Sequence, residues 1–441
     1  TPLCYHMKNT LRFFSSCLVM TSMVVFLYSA ENIKLNNGVT VIFDEDALAD
    51  TTAAEIWVSV GSANESKEVY GISHFIEHLI FKGTPNRDQK QIAPEIEKCG
   101  GVINAATSKD YTYFYAVVPS SYSLKVTEIL TDVVSNPLFP ENEIEKERKV
   151  ILEEIKRKND NPQSQLFDEF YNYAYPEISC YARNVIGSEE TISKLKRDDF
   201  LLFHKKFYTP ENIIITVVGN FNKKEVLHLL KNNSGKIKRV ISDKSYISSD
   251  SIRKEMRDRP YKKTIKKDIS QAYILMGFPA ADIKSNDQYP LDVASYILGC
   301  GRASRLNRKL VEQERIAHDI SASFATHRGP GLFYIYAECS PEKVTALSNK
   351  IMLELNELTV DEVTTDELSR AKTLLVRDKL LQSQTTDGKA EELGFYAVLG
   401  NEKIAKNYIK NIKKVKSQDV KNVISKYLIF PNIPTVVVMP Q

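Results

Sequence analysis

The segments "DFLLFHKKFYTPENIIITVVGNF" (Asp199–Phe221) and "DVKNVISKYLIFPNIPTVVVMPQ" (Asp419–Gln441) decide how this chain is built. Laid over one another without gaps they stand 220 residues apart, at positions 199 and 419. Asp199 falls on Asp419, Lys206 on Lys426 and Phe207 on Tyr427; then Asn212 falls on Asn432, Ile213 on Ile433 and Val217 on Val437. Each copy reads as a helix, a short turn and a β-branched run of strand type. A supersecondary unit that recurs at half the chain length implies a duplicated architecture. A second match supports it: "TTAAEIWVSVGSANE" from Thr51 and "DISQAYILMGFPAAD" from Asp268 are both apolar strands ending in small residues. Each leads through a polar stretch into a helix. The expected fold is α+β: two homologous domains, each a mixed β-sheet with helices packed on one face. The first domain spans residues 31–241 and the second 261–441, with the polar stretch "SDKSYISSDSIRKEMRDRP" (Ser242–Pro260) as the linker.

Composition fits that picture. A chain of 441 residues is too long for one ordinary core. With 43% hydrophobic and 26% charged residues and no low-complexity tract, it is neither disordered nor a coiled coil. The 59 basic and 56 acidic residues nearly balance, giving a net charge of +3. Lysines alternate with acids in "IEKERKVILEEIKRKND" (Ile144–Asp160), which reads as a solvated helix face, so no nucleic-acid partner is expected.

The first thirty residues differ from the rest. Met7, Lys8 and Arg12 precede the uncharged apolar run Phe13–Tyr28; Ser29 and Ala30 follow, and Glu31 is the first acid. Residues Thr1–His6 read as an upstream extension. The order of basic start, apolar middle and small-residue exit reads as a signal peptide, which implies a secreted or periplasmic protein without stable membrane insertion once cleaved. An uncleaved membrane anchor is the first alternative, because the run is only slightly short for a span. A mitochondrial presequence is the second, although it should be amphipathic and richer in arginine. Cys4 and Cys17 belong to this part. Cys99, Cys180, Cys300 and Cys339 are far apart with no CxxC pair, which suggests buried thiols rather than a zinc ribbon or disulfide scaffold.

The chemistry concentrates in "VYGISHFIEHLIFKGT" (Val69–Thr84). On a helix His74 and His78 face the same way, and Glu77, three residues after His74, shares that side. Neutral imidazoles suit Zn²⁺, but two ligands leave a site unfinished. The neighbours Phe75, Ile76, Leu79, Ile80 and Phe81 are apolar, so the helix should be largely buried, where two imidazoles and a carboxylate need partners. A third ligand should come from another element. "ENEIEKERKVILEEIKRKNDNP" (Glu141–Pro162) reads as a long helix with Ile144, Ile151 and Ile155 as its apolar stripe. Glu147 and Glu154 share a face of it, and Glu153 points roughly 120° away. In isolation the same acids also describe a solvated helix.

With these motifs the chain, leader apart, resembles the insulinase/pitrilysin group of inverted-motif zinc metallopeptidases, and most closely its mitochondrial processing peptidase-like branch with its bacterial relatives. The resemblance is carried by "GSANE", "GISHFIEHLIFKGT", "CGGVINAATSKDYTYFYAVV", "ENEIEKERKVILEEIKR" and "LGCGRASRL". It implies one zinc ion per chain on His74, His78 and Glu154, with Glu77 as general base for metal-assisted peptide hydrolysis. Glu147 would orient a ligand from outside the coordination sphere. Asn104, Ala105 and Thr107 would lie on an edge strand that binds peptide substrate as an added strand. Arg305 matches a substrate-facing arginine of the second domain, and His318 stands where the group has a tyrosine. Two repeats would form half of an enclosing chamber, implying a homodimer or a heterodimer with a related chain. The alternatives are a non-catalytic peptide-binding partner subunit and a presequence-processing peptidase. Retention of all four key residues favours a zinc endopeptidase.

Overall fold

Apolar alternation and β-branched runs build eleven strands in the described residues, and they fall into two sheets. The structure, a computed structural model, describes residues 30–175, 180–233, 254–255, 262–429 and 433–441. The leader up to Ser29, the linker apart from residues 254–255, Asn432 and the side chain of Cys180 lie outside them. The first sheet comprises β1 (Glu31–Lys34), β2 (Thr40–Glu45), β3 (Thr51–Val58), β4 (Val102–Thr107), β5 (Thr112–Pro119) and β6 (Ile213–Gly219), in the order β1-β2-β6-β3-β5-β4. The second comprises β7 (Lys262–Lys267), β8 (Ala272–Ala280), β9 (Asp319–Ala325), β10 (Gly331–Cys339) and β11 (Thr435–Pro440), in the order β7-β11-β8-β10-β9.

Apart from β1 the two orders are the same. Each has one parallel pair, β2 with β6 and β7 with β11, followed by antiparallel neighbours. The opening segments supply β6 and β11, at equivalent places. Val217 pairs with Ala54 and Val437 with Ile274, so the partners too are 220 residues apart, at positions 54 and 274. The second sequence match supplies their neighbours β3 and β8, which also stand at equivalent places in the two sheets. Short apolar runs carry no internal marker of position, and pairing with the neighbouring strand sets the register.

Eight described helices belong to the first repeat: α1 (Ile72–Leu79), α2 (Gln89–Glu97), α3 (Ser123–Ser135), α4 (Glu141–Asp160), α5 (Pro162–Ala174), α6 (Glu189–Lys194), α7 (Arg197–Phe207) and α8 (Lys223–Asn233). Six described helices belong to the second: α9 (Gln288–Gly299), α10 (Val344–Val360), α11 (Thr365–Gln382), α12 (Thr386–Val398), α13 (Lys403–Lys414) and α14 (Ser417–Val423). One face of the first sheet, with Phe43, Ile56, Phe114 and Val217, packs on Phe75 of α1, Ile129 of α3, Ile151 of α4 and Phe200 of α7. In the second repeat Ile274, Phe278 and Phe333 pack on Ile297 of α9 and Ile351 of α10.

Two helices cross over. α5 lies on β8 and β11 of the second sheet, and α12 lies on β3 and β6 of the first. Each sheet thus carries its own helices on one face and a helix of the other repeat on the opposite face. Both crossing helices have 13 residues and start 224 residues apart, at 162 and 386. Their contacts are complementary. A Cβ on Gly277 of β8 would lie 1.9 Å from Phe170 of α5, and one on Gly394 of α12 would lie 2.0 Å from Trp57 of β3. By the offsets of 220 and 224, Gly277 is the counterpart of Trp57 and Gly394 that of Phe170. The large side chain therefore comes from the sheet in one contact and from the helix in the other.

Glu55 lies on this seam. Its Oε2 accepts hydrogen bonds from Trp57 Nε1 at 2.7 Å and Thr216 Oγ1 at 3.1 Å. Burial pushes its carboxyl up to about 8, assisted by Glu391 and Asp387 of α12.

Two predictions follow from the seam. Gly277→Ala should destabilise the protein by about 1–3 kcal/mol through overpacking, and shortening Phe170 to Leu should restore part of the loss in thermal melting. For Glu55, the folded state holds a proton that the unfolded chain releases from about 4.5 upward. Its contribution is therefore complete at lower pH and is lost as pH rises toward 8. Glu55→Gln keeps an accepting oxygen without the charge, so the variant should melt with the wild type at pH 4 and above it at pH 9.

Candidate metal centre

The helix α1 is short, amphipathic and held at its start from outside. Gly71 precedes it with φ 92°, and its Cα meets the backbone of Ile186 and Gly187 so closely that a Cβ would lie 2.7 Å from Gly187 Cα. Glu65, 2% exposed, accepts the Gly71 amide on Oε2 and the Ser73 amide on Oε1, both at 2.8 Å. These are donors that a helix start leaves without intrahelical acceptors. Ser73 is inside the helix, and the capping oxygens come from Glu65. The helix ends at Leu79, short of Gly83. Burial pushes the Glu65 carboxyl up to about 7, against the pull of the two amides.

Phe75, Ile76 and Leu79 bury one side of α1 in the first core. The side carrying His74 and His78 faces α4, whose own stripe is Ile144, Ile151 and Ile155, as the pattern predicts. One ligand atom each from His74, His78 and Glu154 lie within 4.8 Å of one another, the one such cluster among the described residues. Both Nε2 atoms stand 3.8 Å from Glu154 Oε2. That is too long for a hydrogen bond and near the roughly 3.4 Å that separates two donors on a tetrahedral zinc ion. Glu153 points to solvent and pairs with Lys156 at 2.8 Å.

The electrostatics suit a cation. Burial, then His78, pull the His74 imidazole down to about 3, so it is neutral with a lone pair available. Its Nδ1 is buried without a hydrogen-bond partner. His78 Nδ1 lies 3.0 Å from Glu147 Oε2, which assigns the proton to Nδ1 and leaves Nε2 facing Glu154. Lys82 Nζ pairs with the other Glu147 oxygen at 2.7 Å. The hydrogen bond to His78, with help from Lys82, takes the Glu147 carboxyl down to about 2. Glu77 is driven the other way by burial; the Thr107 hydroxyl and amide face it and offset part of the rise. The donor set, two imidazoles and a carboxylate, is one that holds zinc in catalytic sites.

The other candidate residues divide between the repeats. β4 is the outer strand of its sheet beside α1, and it carries Asn104, Ala105 and Thr107. Ile103 and Ala105 pack toward the first core, Asn104 is exposed, and its Oδ1 accepts the Ala105 amide at 2.9 Å. Arg305 and His318 belong to the second repeat. Arg305 is held by Glu367, through Nε at 3.0 Å and a terminal nitrogen at 2.9 Å, and His318 Nδ1 lies 2.9 Å from Gln271 Oε1. Neither is bonded to the histidine cluster among the described residues. Glu65 and Lys82 carry parts of the site that the sequence reading left without a role. Lys82 stands four residues after His78, a helical spacing that could have pointed to it; Glu65 had no comparable signal. Cys99 and Cys339 are buried free thiols, and Cys300 is half-buried and free.

Comparison with known proteins gives the family. The insulinase (peptidase family M16) profile matches residues 40–182, which hold α1, β4 and α4. The profile described as the peptidase M16 inactive domain matches residues 194–375. An uncharacterized zinc protease of Rickettsia felis is 32% identical over 410 residues, covering 91% of this chain and 95% of the relative. One from Bacillus subtilis is 28% identical over 361 residues, covering 81% and 85%. A protease from Helicobacter pylori has a similar structure, with a TM-score of 0.87 at 26% identity, covering 94% of this chain and 100% of that one. A peptidase M16 inactive domain from Pseudomonas fluorescens shares the fold, with a TM-score of 0.83 at 17% identity over 93% of this chain and 98% of the other. With its two repeats matched in chain order and zinc proteases as its relatives, the chain belongs to the insulinase (peptidase M16) family.

Proposed function

We propose that the protein is a zinc endopeptidase whose chemistry resides in the first repeat. The observation that carries this reading is the convergence of His74, His78 and Glu154 within 4.8 Å beside a half-buried Glu77. His74, His78 and Glu154 would hold the ion. When bound, zinc supplies Lewis acidity that makes a water nucleophilic near neutral pH and polarises a scissile carbonyl.

The chain's own residues do the rest. Glu77 accepts the proton of the attacking water on its carboxylate and returns it to the leaving amine. Its raised proton affinity, caused by burial, favours the first of these transfers. Glu147 accepts a hydrogen bond from His78 Nδ1–H and so fixes the ring with Nε2 toward Glu154, while Lys82 helps keep Glu147 ionised. β4 offers its free edge for an extended peptide, with contacts at Asn104, Ala105 and Thr107. We assign no contact to Arg305, which Glu367 already holds. A second chain, identical or related, would complete the chamber. The inactive-domain match covers a repeat without an HxxEH motif, and so agrees with chemistry confined to the first repeat.

The decisive experiment measures bound metal and fluorogenic-peptide cleavage for the wild type and Glu77→Gln. The variant should keep one zinc per chain and lose cleavage by about 10²–10⁴-fold. A wild type without zinc or cleavage, alone and with related chains, would overturn the reading. Glu65→Ala leaves two buried amides at the start of α1 without acceptors, a loss of about 1–3 kcal/mol for each. It should lower the melting temperature, and it should weaken zinc binding in chelator competition because α1 carries both histidines.

A further inference from the structure

Helix α13 carries a face that peptide hydrolysis does not use. Lys403, Lys406, Lys410, Lys413 and Lys414 are exposed, and at about 100° per residue they fall within an arc of roughly 100°. The stripe is about 16 Å long. The opposite face, with Ile404, Ala405, Tyr408 and Ile412, is buried in the second core. No acid lies within the arc. Glu402 stands at the helix start, and Asp419 beyond its end accepts the Lys416 amide at 2.8 Å. Among the described residues Lys403, Lys410, Lys413 and Lys414 form no ion pair. Elsewhere this protein mixes signs on its exposed helix faces: α4 pairs Lys146 with Glu143, Arg148 with Glu145 and Lys156 with Glu153.

A second observation says what could cover the stripe. Lys406 Nζ donates to the carbonyl of Ala30 at 3.0 Å. The uncharged run Phe13–Tyr28 ends two residues before Ala30, a distance the backbone spans in at most about 7 Å. Any surface that takes up that run therefore passes beside the lysines. Four to eight basic residues clustered beside an apolar segment suit anionic phospholipid headgroups. Where the apolar run is retained, as in the membrane-anchor alternative, it and the polybasic patch are also the two signals that stable membrane attachment requires. No helix among the described residues is long and apolar enough to cross a membrane. The arc holds no arginine to read base edges and no aromatic ring on which bases could stack, which disfavours nucleic acid as its occupant.

We propose that the lysine stripe of α13 docks on an anionic phospholipid surface. The test is partitioning of the full chain onto phosphatidylcholine vesicles with and without phosphatidylglycerol. Neutral vesicles report the contribution of the apolar run, and the difference between the two reports the stripe. Partitioning should be at least about tenfold stronger with phosphatidylglycerol, and high salt should remove the difference. The quadruple variant Lys403→Gln, Lys410→Gln, Lys413→Gln, Lys414→Gln should also remove it at an unchanged melting temperature, and Lys410→Glu alone should reduce it. Equal partitioning on both vesicles, or a preference that the folded variants retain, would overturn the proposal. Stripe-dependent binding to polyglutamate or duplex DNA without a vesicle preference would give the stripe another partner and overturn it as well.

Discussion

The reciprocal seam between the repeats, Trp57 against Gly394 and Phe170 against Gly277, is the contact on which the rest of the structure depends. Each sheet has one face covered by its own helices. The opposite face would be left to water without the helix that arrives from the other repeat. Close packing makes these contacts specific: a large ring fits only where its partner residue has no side chain. The exchange of large and absent side chains between equivalent positions also ties each crossing helix to one sheet. α12 would bring no ring to Gly277, and α5 would bring Phe170 against Trp57.

That seam reaches the metal centre through the chain. Asn161 ends α4 and begins α5, with its Oδ1 accepting the Ser164 amide at 2.9 Å. α5 is seated on the second sheet, where Gln163 donates to Tyr336 at 2.7 Å and Lys267 donates to the carbonyl of Asn159 at 2.7 Å. The end of the helix that carries Glu147 and Glu154 is therefore fixed by the repeat that has no HxxEH. The other side of the site is fixed locally, by Glu65 at the start of α1. Three glutamates around α1 have diverging acidities because their partners differ. Glu65 faces two amides in a buried pocket and Glu77 is half-buried against Thr107, and both rise; Glu147 has His78 and Lys82 and falls. Side-chain type alone assigns none of these behaviours.

Much of this was legible in the chain. The half-length repeat led to two sheets of one topology, and α4 came from its acidic start, basic end and isoleucine stripe. His74, His78 and Glu154 followed from helical spacing joined to the family resemblance, and the structure brings them together. Other features depended on contacts between distant segments. The register of β3 against β6 and of β8 against β11 is set by hydrogen bonding between segments far apart in the chain. Arg305 matched a motif, but its ion pair with Glu367, 62 residues later, has no local signature.

By itself the sequence determined the duplication, the elements within each copy and the two imidazoles that could share a cation, because these are written in periodicity and spacing, while Glu154 as their third partner came from the family resemblance. Only the tertiary structure decided which helix covers which sheet, which carboxylates gain or lose acidity, and where the lysines of α13 stand relative to Ala30. Those outcomes depend on burial and on partners brought together from far along the chain, and local patterns carry no information about either.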